Sequence, residues 1–97
     1  DELPSFPKER RNLECADSVK FKVIDSLAAS LRAEYGDENI NTMDGIRIDL
    51  EDGWVLIRAS NTSPMIRVTV EGSTEAVKQK LMAEFVRRTG EAIKELS

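Results

Sequence analysis

The sequence predicts an α+β two-layer sandwich of order β-α-β-β-β-α, an antiparallel sheet covered on one face by two helices. Three observations carry that expectation. Apolar residues recur every three or four positions through residues 17–35 and again beyond residue 74, the spacing of amphipathic helices. Between them lie short runs in which apolar and polar residues alternate, the spacing of half-buried strands. Two of those runs are joined through Asp52-Gly53, residue types that suit a tight hairpin turn.

In chain order, Leu3-Pro4-Ser5-Phe6-Pro7 holds two prolines, which fix φ and push their predecessors toward extended backbone. Residues 1–10 therefore read as a linker from a preceding domain and residues 11–97 as one folded domain. Arg11 to Cys15 form a short first strand with Leu13 and Cys15 on one face. Asp17 or Ser18 caps a helix over 17–35, whose stripe is Phe21, Ile24, Leu27, Ala28, Leu31 and Tyr35 and whose stop is Gly36. Ile46, Ile48 and Leu50 then alternate with Arg47 and Asp49, and the chain returns as Trp54 to Arg58. A third run alternates Ile66, Val68 and Val70 with Arg67, Thr69 and Glu71. The apolar sets should face the helices, leaving Arg47, Arg67 and Thr69 on an open face. Ser73 or Thr74 caps the last helix, with Val77, Leu81, Phe85, Ala92, Ile93 and Leu96 as its stripe and Glu84–Arg88 as an i,i+4 ion pair. Gly90 falls inside that helix at a cost of about 1 kcal/mol against Ala, and marks a kink or a close contact.

Composition narrows the function. Ninety-seven residues, 40% hydrophobic and 33% charged, suit one ordinary folded domain. A net charge of −4 opposes nucleic acid and anionic membrane as partners, so any anion site must be local. No apolar run approaches the ~20 residues that span a bilayer. The single cysteine, Cys15, allows no internal disulfide and reads as a small buried hydrophobe; a reducing, cytoplasmic setting is expected. Opening on Asp1 rather than Met suggests a segment of something longer. There is no histidine, the commonest general base and metal ligand. Asp44, Asp49 and Asp52 lack the spacing of a calcium loop, and Cys15, Ser60 and Thr62 have no histidine to activate them. Neither a catalytic nor a metal site is expected in this domain. Trp54 reads as core or half-buried filler, and Leu27, Met82 and Phe85 as core.

One stretch invites a ligand: Arg58-Ala-Ser60-Asn61-Thr62-Ser63-Pro64, followed by Arg67. A phosphate calls for a planar cation that can grip it bidentately and for short donors around it. Arg58, at a strand end, offers the guanidinium; Ser60, Asn61 and Thr62 offer two hydroxyls and an amide. Successive backbone N–H groups of a tight turn could add an anion-binding cup, and hairpin pairing would bring Arg67 close. On composition alone the same residues make an ordinary polar turn.

The residues Asp44-Gly45-Ile46-Arg47-Ile48, Asp52-Gly53-Trp54, Arg58 through Pro64, Ile66-Arg67 and Glu71 together resemble the last domain of the α-D-phosphohexomutases. The resemblance is sharp in this motif and looser through the flanking helices. It implies a TATA-box-binding-protein-like fold, a sheet flanked by two helices. It also implies that Arg58, Ser60, Asn61 and Thr62 hold the phosphate of a hexose phosphate that is not being transferred, with Arg67 at a matching arginine position. Asn61 looks more like the phosphomannomutase/phosphoglucomutase branch than the phosphoglucosamine mutase branch, where glycine is usual. Ser63 departs from the common glutamate, and Met65-Ile66-Arg67 has glucosamine-mutase-like spacing, so the sugar stays open. By the same resemblance a phosphoserine loop, an aspartate-rich Mg²⁺ loop and a sugar-recognition loop belong to three preceding domains of the parent, an isomerase that interconverts 1- and 6-phosphates. The isolated domain should then be inactive. The rivals are a free-standing anion- or partner-binding module and, on fold alone, a nucleic-acid-binding module, which the acidic balance opposes.

Overall fold

Strict alternation puts every second side chain of a strand on the same face, so each run sorts itself into an apolar and a charged side. The computed structural model describes residues 6–36, 40–41, 45–60 and 62–96. Strand β1 (Lys8–Glu14) leads into helix α1 (Lys20–Tyr35) and the two-residue strand β2 (Ile40–Asn41). Strands β3 (Ile46–Leu50), β4 (Gly53–Ala59) and β5 (Met65–Gly72) follow, then helix α2 (Glu75–Leu96). The strands form one antiparallel sheet in the order β1-β5-β4-β3-β2. Consecutive hairpins join β3, β4 and β5, while β1 closes the far edge beside β5. This is the expected α+β sandwich.

The core is the seam between sheet and helices. Ile46, Ile48, Val55, Ile57, Ile66, Val68 and Val70 of the sheet are wholly buried, with Val23, Leu27 and Leu31 of α1 and Met82 and Phe85 of α2 in the same cluster. Full burial of each such side chain contributes roughly 1.5–3 kcal/mol. Cys15 is buried at the end of this seam, where desolvation pushes its thiol pKa up. Across the helix layer, Arg88 of α2 donates to Glu34 of α1 at 2.7 and 2.8 Å and also to Glu84, the expected i,i+4 partner. Thr74 caps α2, its Oγ1 accepting from the Val77 amide at 3.2 Å.

Several boundaries differ from the sequence reading. Lys8, Glu9 and Arg10, assigned there to a linker, pair with Glu71, Val70 and Thr69 as the start of β1. Their backbone satisfies the edge of β5, and their charged side chains hide the alternation. The strand β2 is an extra, two-residue edge. Helix α1 begins at Lys20, not near residue 17, and has no side-chain cap; Ala16 O accepts from the amides of Val19 and Lys20 instead. Phe21 is 57% exposed, and Lys20 takes its place on the buried line. The β3–β4 turn is Glu51-Asp52, one residue early, with Leu50 paired to Gly53. Glycine is needed at 53 for room, since a Cβ there would lie 2.1 Å from Glu71 O. Helix α2 runs unbroken through Gly90, where a Cβ would meet only Leu13 Cδ2 at 3.9 Å, an ordinary contact.

Candidate anion-binding site

The register of β1, β5 and β4 arranges the open face in rows. In the first row Arg58 stands directly opposite Arg67, and Arg67 directly opposite Asn12. In the next, Leu56 opposes Thr69 and Thr69 opposes Arg10. Like charges directly opposed on a sheet repel, and such pairs are normally relieved by a carboxylate. Here Arg67 Nε donates to Asn12 Oδ1 at 3.1 Å, a neutral partner. Among the described residues no hydrogen bond or ion pair engages the guanidinium of Arg58 or of Arg10. These rows floor a cleft of about 310 Å³ lined by Arg10, Leu56, Arg58, Ala59, Ser60, Thr62, Arg67 and Thr69. Its lining holds three arginines and no carboxylate.

The rim is the loop that follows β4. Ser60 Oγ accepts from the amides of Thr62 and Ser63 at 3.2 and 3.1 Å. The Ser60 amide donates to Met65 O at 3.0 Å, and the Met65 amide to Ser63 O at 2.8 Å. Two consequences follow. With its oxygen already accepting twice, Ser60 keeps its own O–H as a donor. The amides of Ser60, Thr62 and Ser63 are used within the loop, so they do not form the expected cup of backbone N–H groups. The cleft's donors are side chains. Asn61, also expected at the site, lies outside the described residues.

Two supports of this arrangement escape a reading of the motif alone. Gly45 has φ +113°, and a Cβ there would lie 2.6 Å from Ile57 O and 2.8 Å from Arg58 Cγ. It leaves room for the stem of Arg58. Beneath the loop, Lys20 is only 4% exposed. Its Nζ donates to Ser60 O and, at 3.2 Å, to Ser63 O, and pairs with Asp17 at 2.7 Å. The Cys15 amide donates to Pro64 O at 2.9 Å, so the loop is fastened to both α1 and the end of β1.

Arg58, Ser60, Thr62 and Arg67 are thus brought together as the sequence suggests, and Arg10 joins them from an edge strand. Its only sequence signal is its place two residues before Asn12, on the same face of a wholly polar run. Trp54 lies further along the same open face, half-buried, with the Arg47 guanidinium 4.8 Å and the Lys8 ammonium 5.8 Å from its ring centre. It is covered by cationic stems rather than by the core. Among the described residues no cluster of three or more His, Cys, Asp or Glu could hold a metal ion. No described helix is long and apolar enough to cross a membrane.

Fold and cleft together define a small α+β domain with a cationic pocket at one end of an open sheet face. The chain belongs to the family described as "Phosphoglucomutase/phosphomannomutase, C-terminal domain", whose sequence pattern matches residues 12–88. It is 44% identical over 97 aligned positions to a probable phosphoglucosamine mutase of Methanopyrus kandleri, covering 97% of this chain and 21% of that protein. It is 38% identical over 74 positions to a phosphomannomutase/phosphoglucomutase of Pseudomonas putida, covering 76% of this chain and 16% of that protein. A crystal structure of a phosphoglucomutase/phosphomannomutase family protein from Burkholderia thailandensis superposes with a TM-score of 0.70 at 30% identity, over 93% of this chain and 18% of that one. The chain spans about a fifth of the length of these relatives.

Proposed function

We propose that this domain grips the non-transferred phosphate of a hexose phosphate while a parent phosphohexomutase interconverts the 1- and 6-phosphates. The observation that supports this best is the opposed pair Arg58 and Arg67 in a cleft without a carboxylate, within a protein of net charge −4. A phosphate there would relieve the repulsion that the sheet register imposes. In this reading Arg58 supplies the bidentate fork, the hydroxyls of Ser60 and Thr62 and the amide of Asn61 donate, and Arg67 and Arg10 add charge. The clamp's contribution is positioning. It holds one phosphate regardless of which end of the sugar bears it, so a bisphosphate intermediate could turn over between half-reactions and be gripped again.

The partners are the hexose phosphate and the preceding domains of the same polypeptide, in the cytoplasm. Mg²⁺ and the serine nucleophile belong to those domains, and this domain supplies neither. Asn61 favours a mannose or glucose phosphate. The names of relatives such as the Methanopyrus protein favour glucosamine phosphate as the second reading. The test is steady-state kinetics of the full-length protein with each sugar phosphate. Arg58→Ala should raise KM for the preferred substrate roughly tenfold to a hundredfold, the equivalent of about 1.4–2.7 kcal/mol. The 97-residue chain alone should show no turnover. An unchanged KM in Arg58→Ala would refute the assignment.

A further inference from the structure

We propose that Lys20 is a positioning residue for the phosphate loop: a buried ammonium that holds the carbonyls of Ser60 and Ser63 toward the helix layer and so keeps the loop preset for an anion. The proposal rests on the reading of the cleft given above. Lysines are almost never fully buried unless paired, and Lys20 is only 4% exposed. Its carboxylate partner does not explain that burial, because the Asp17 side chain is 71% exposed and could be met at the surface. What draws Lys20 inward is a pair of carbonyls 40 and 43 residues away in sequence. An ammonium has three donors. Asp17, Ser60 O and Ser63 O account for all of them.

The consequence for the cleft is electrostatic and geometric. A carbonyl oxygen carries partial negative charge, and one turned into the cleft would repel a phosphate. Lys20 sits in α1, on the opposite side of the sheet from Arg58 and Arg67, and fixes both oxygens on that side. Ser60 is then held at three points: its amide by Met65 O, its carbonyl by Lys20, and its Oγ by the amides of Thr62 and Ser63. The remaining O–H of Ser60 is aimed by groups that themselves cannot move freely. Preorganised donors lose less ordering entropy on binding than donors on a loose loop.

The test compares Lys20→Met, length-matched and apolar, with Arg58→Ala and Asp17→Asn in the 97-residue chain, using inorganic phosphate as the probe. In Lys20→Met the amides of Ser60, Thr62 and Ser63 should exchange about tenfold faster, while those of Val55 and Val68 keep their protection. Its dissociation constant for phosphate should rise roughly threefold to tenfold. Asp17→Asn leaves both carbonyl bonds in place and should match wild type in both readouts. Arg58→Ala should weaken phosphate without loosening the loop. Wild-type loop exchange and wild-type affinity in Lys20→Met would overturn the proposal. If Lys20→Met loosens the loop but neither it nor Arg58→Ala weakens phosphate, the reading of the cleft is wrong, and with it the role of Lys20. A variant-free check uses the ¹⁵Nζ signal of Lys20 in the wild-type chain. It should shift on phosphate addition with the same midpoint as the loop amides, and a signal that stays still would also overturn the proposal.

Discussion

The helix layer of this domain and the cleft on its open sheet face treat arginine in opposite ways. On the helix side, Arg88 gives two nitrogens to Glu34 at 2.7 and 2.8 Å and a third to Glu84, while Arg87 reaches Glu84 and Glu91. On the open sheet face, Arg58 looks across at Arg67, and Arg10 stands one row away with no carboxylate in the cleft. The protonation behaviour follows. Hydrogen bonds from Arg88 hold Glu34 below the ordinary glutamate range, and Arg88 and Arg87 do the same to Glu84; Arg88 in turn is pushed up, chiefly by Glu34. Arg87 and Arg88 have their counter-charges inside the fold, and Arg88 staples α1 to α2. In the function proposed above, Arg10, Arg58 and Arg67 take theirs from a bound phosphate, while Arg47, further along the same face, is paired with Asp49 at 3.2 Å. A charged residue's role is thus read from whether its fold neutralises it, more than from its type.

The largest expected effect lies on the unneutralised side. In the parent enzyme Arg58→Ala should weaken substrate binding tenfold to a hundredfold, and Arg58→Lys should recover only part of that, because an ammonium cannot reproduce the fork. Ser60→Ala and Thr62→Ala should cost less, as neutral donors contribute about 0.5–1.5 kcal/mol each. On the neutralised side, Arg88→Ala should leave phosphate affinity within twofold. It should lower stability by about 1 kcal/mol, read as a drop of roughly 4–8 °C in a thermal melt. A phosphate effect from Arg88→Ala as large as that from Arg58→Ala would erase the contrast. Gly90→Ala, two residues beyond Arg88 in α2, should raise stability by about 0.5–1 kcal/mol without touching the cleft, since the helix is continuous there and the added methyl has room.

The smallest effect separates the faces by pH. Glu9, Glu34, Glu75 and Glu84 are all held below the ordinary glutamate value of 4.5 by hydrogen bonds to Arg or Lys. A depressed folded pKa means stability that is present above 4.5 and lost as pH falls through the folded values. Melting temperature should therefore be flat near neutrality and fall only below about pH 4.5. Binding of a phosphate ester should instead strengthen as pH rises through about 6, where the ester gains its second charge.

Periodicity made the sandwich legible, because burial on one face of a strand or helix leaves a pattern in every element that carries apolar residues. The Ile46/Ile48 and Ile66/Val68/Val70 sets and the stripe from Leu27 to Leu31 show it. It failed where apolar residues are absent. Lys8 to Asn12 has none, so the first three residues of this edge strand read as linker, Arg10 among them. Lys20 was out of reach for another reason. Its burial comes from carbonyls 40 and 43 positions away, a tertiary fact with no local signal, and the same fact turned Phe21 outward. In the cleft, residue types marked Arg58, Ser60, Thr62 and Arg67 correctly as neighbours. They did not show that the loop's own amides would be consumed by Ser60 Oγ and Met65 O.

The central claim is that the cleft arginines Arg10, Arg58 and Arg67 receive an anion and that Arg87 and Arg88 do not. The direct measurement is a titration of the 97-residue chain with inorganic phosphate, followed by amide and guanidinium NMR shifts. Saturable shifts should cluster at residues 58–63 and around Arg10 and Arg67, while Arg87, Arg88 and their glutamate partners stay still. Shifts centred on Arg87 and Arg88, or none that saturate at the cleft, would contradict the account.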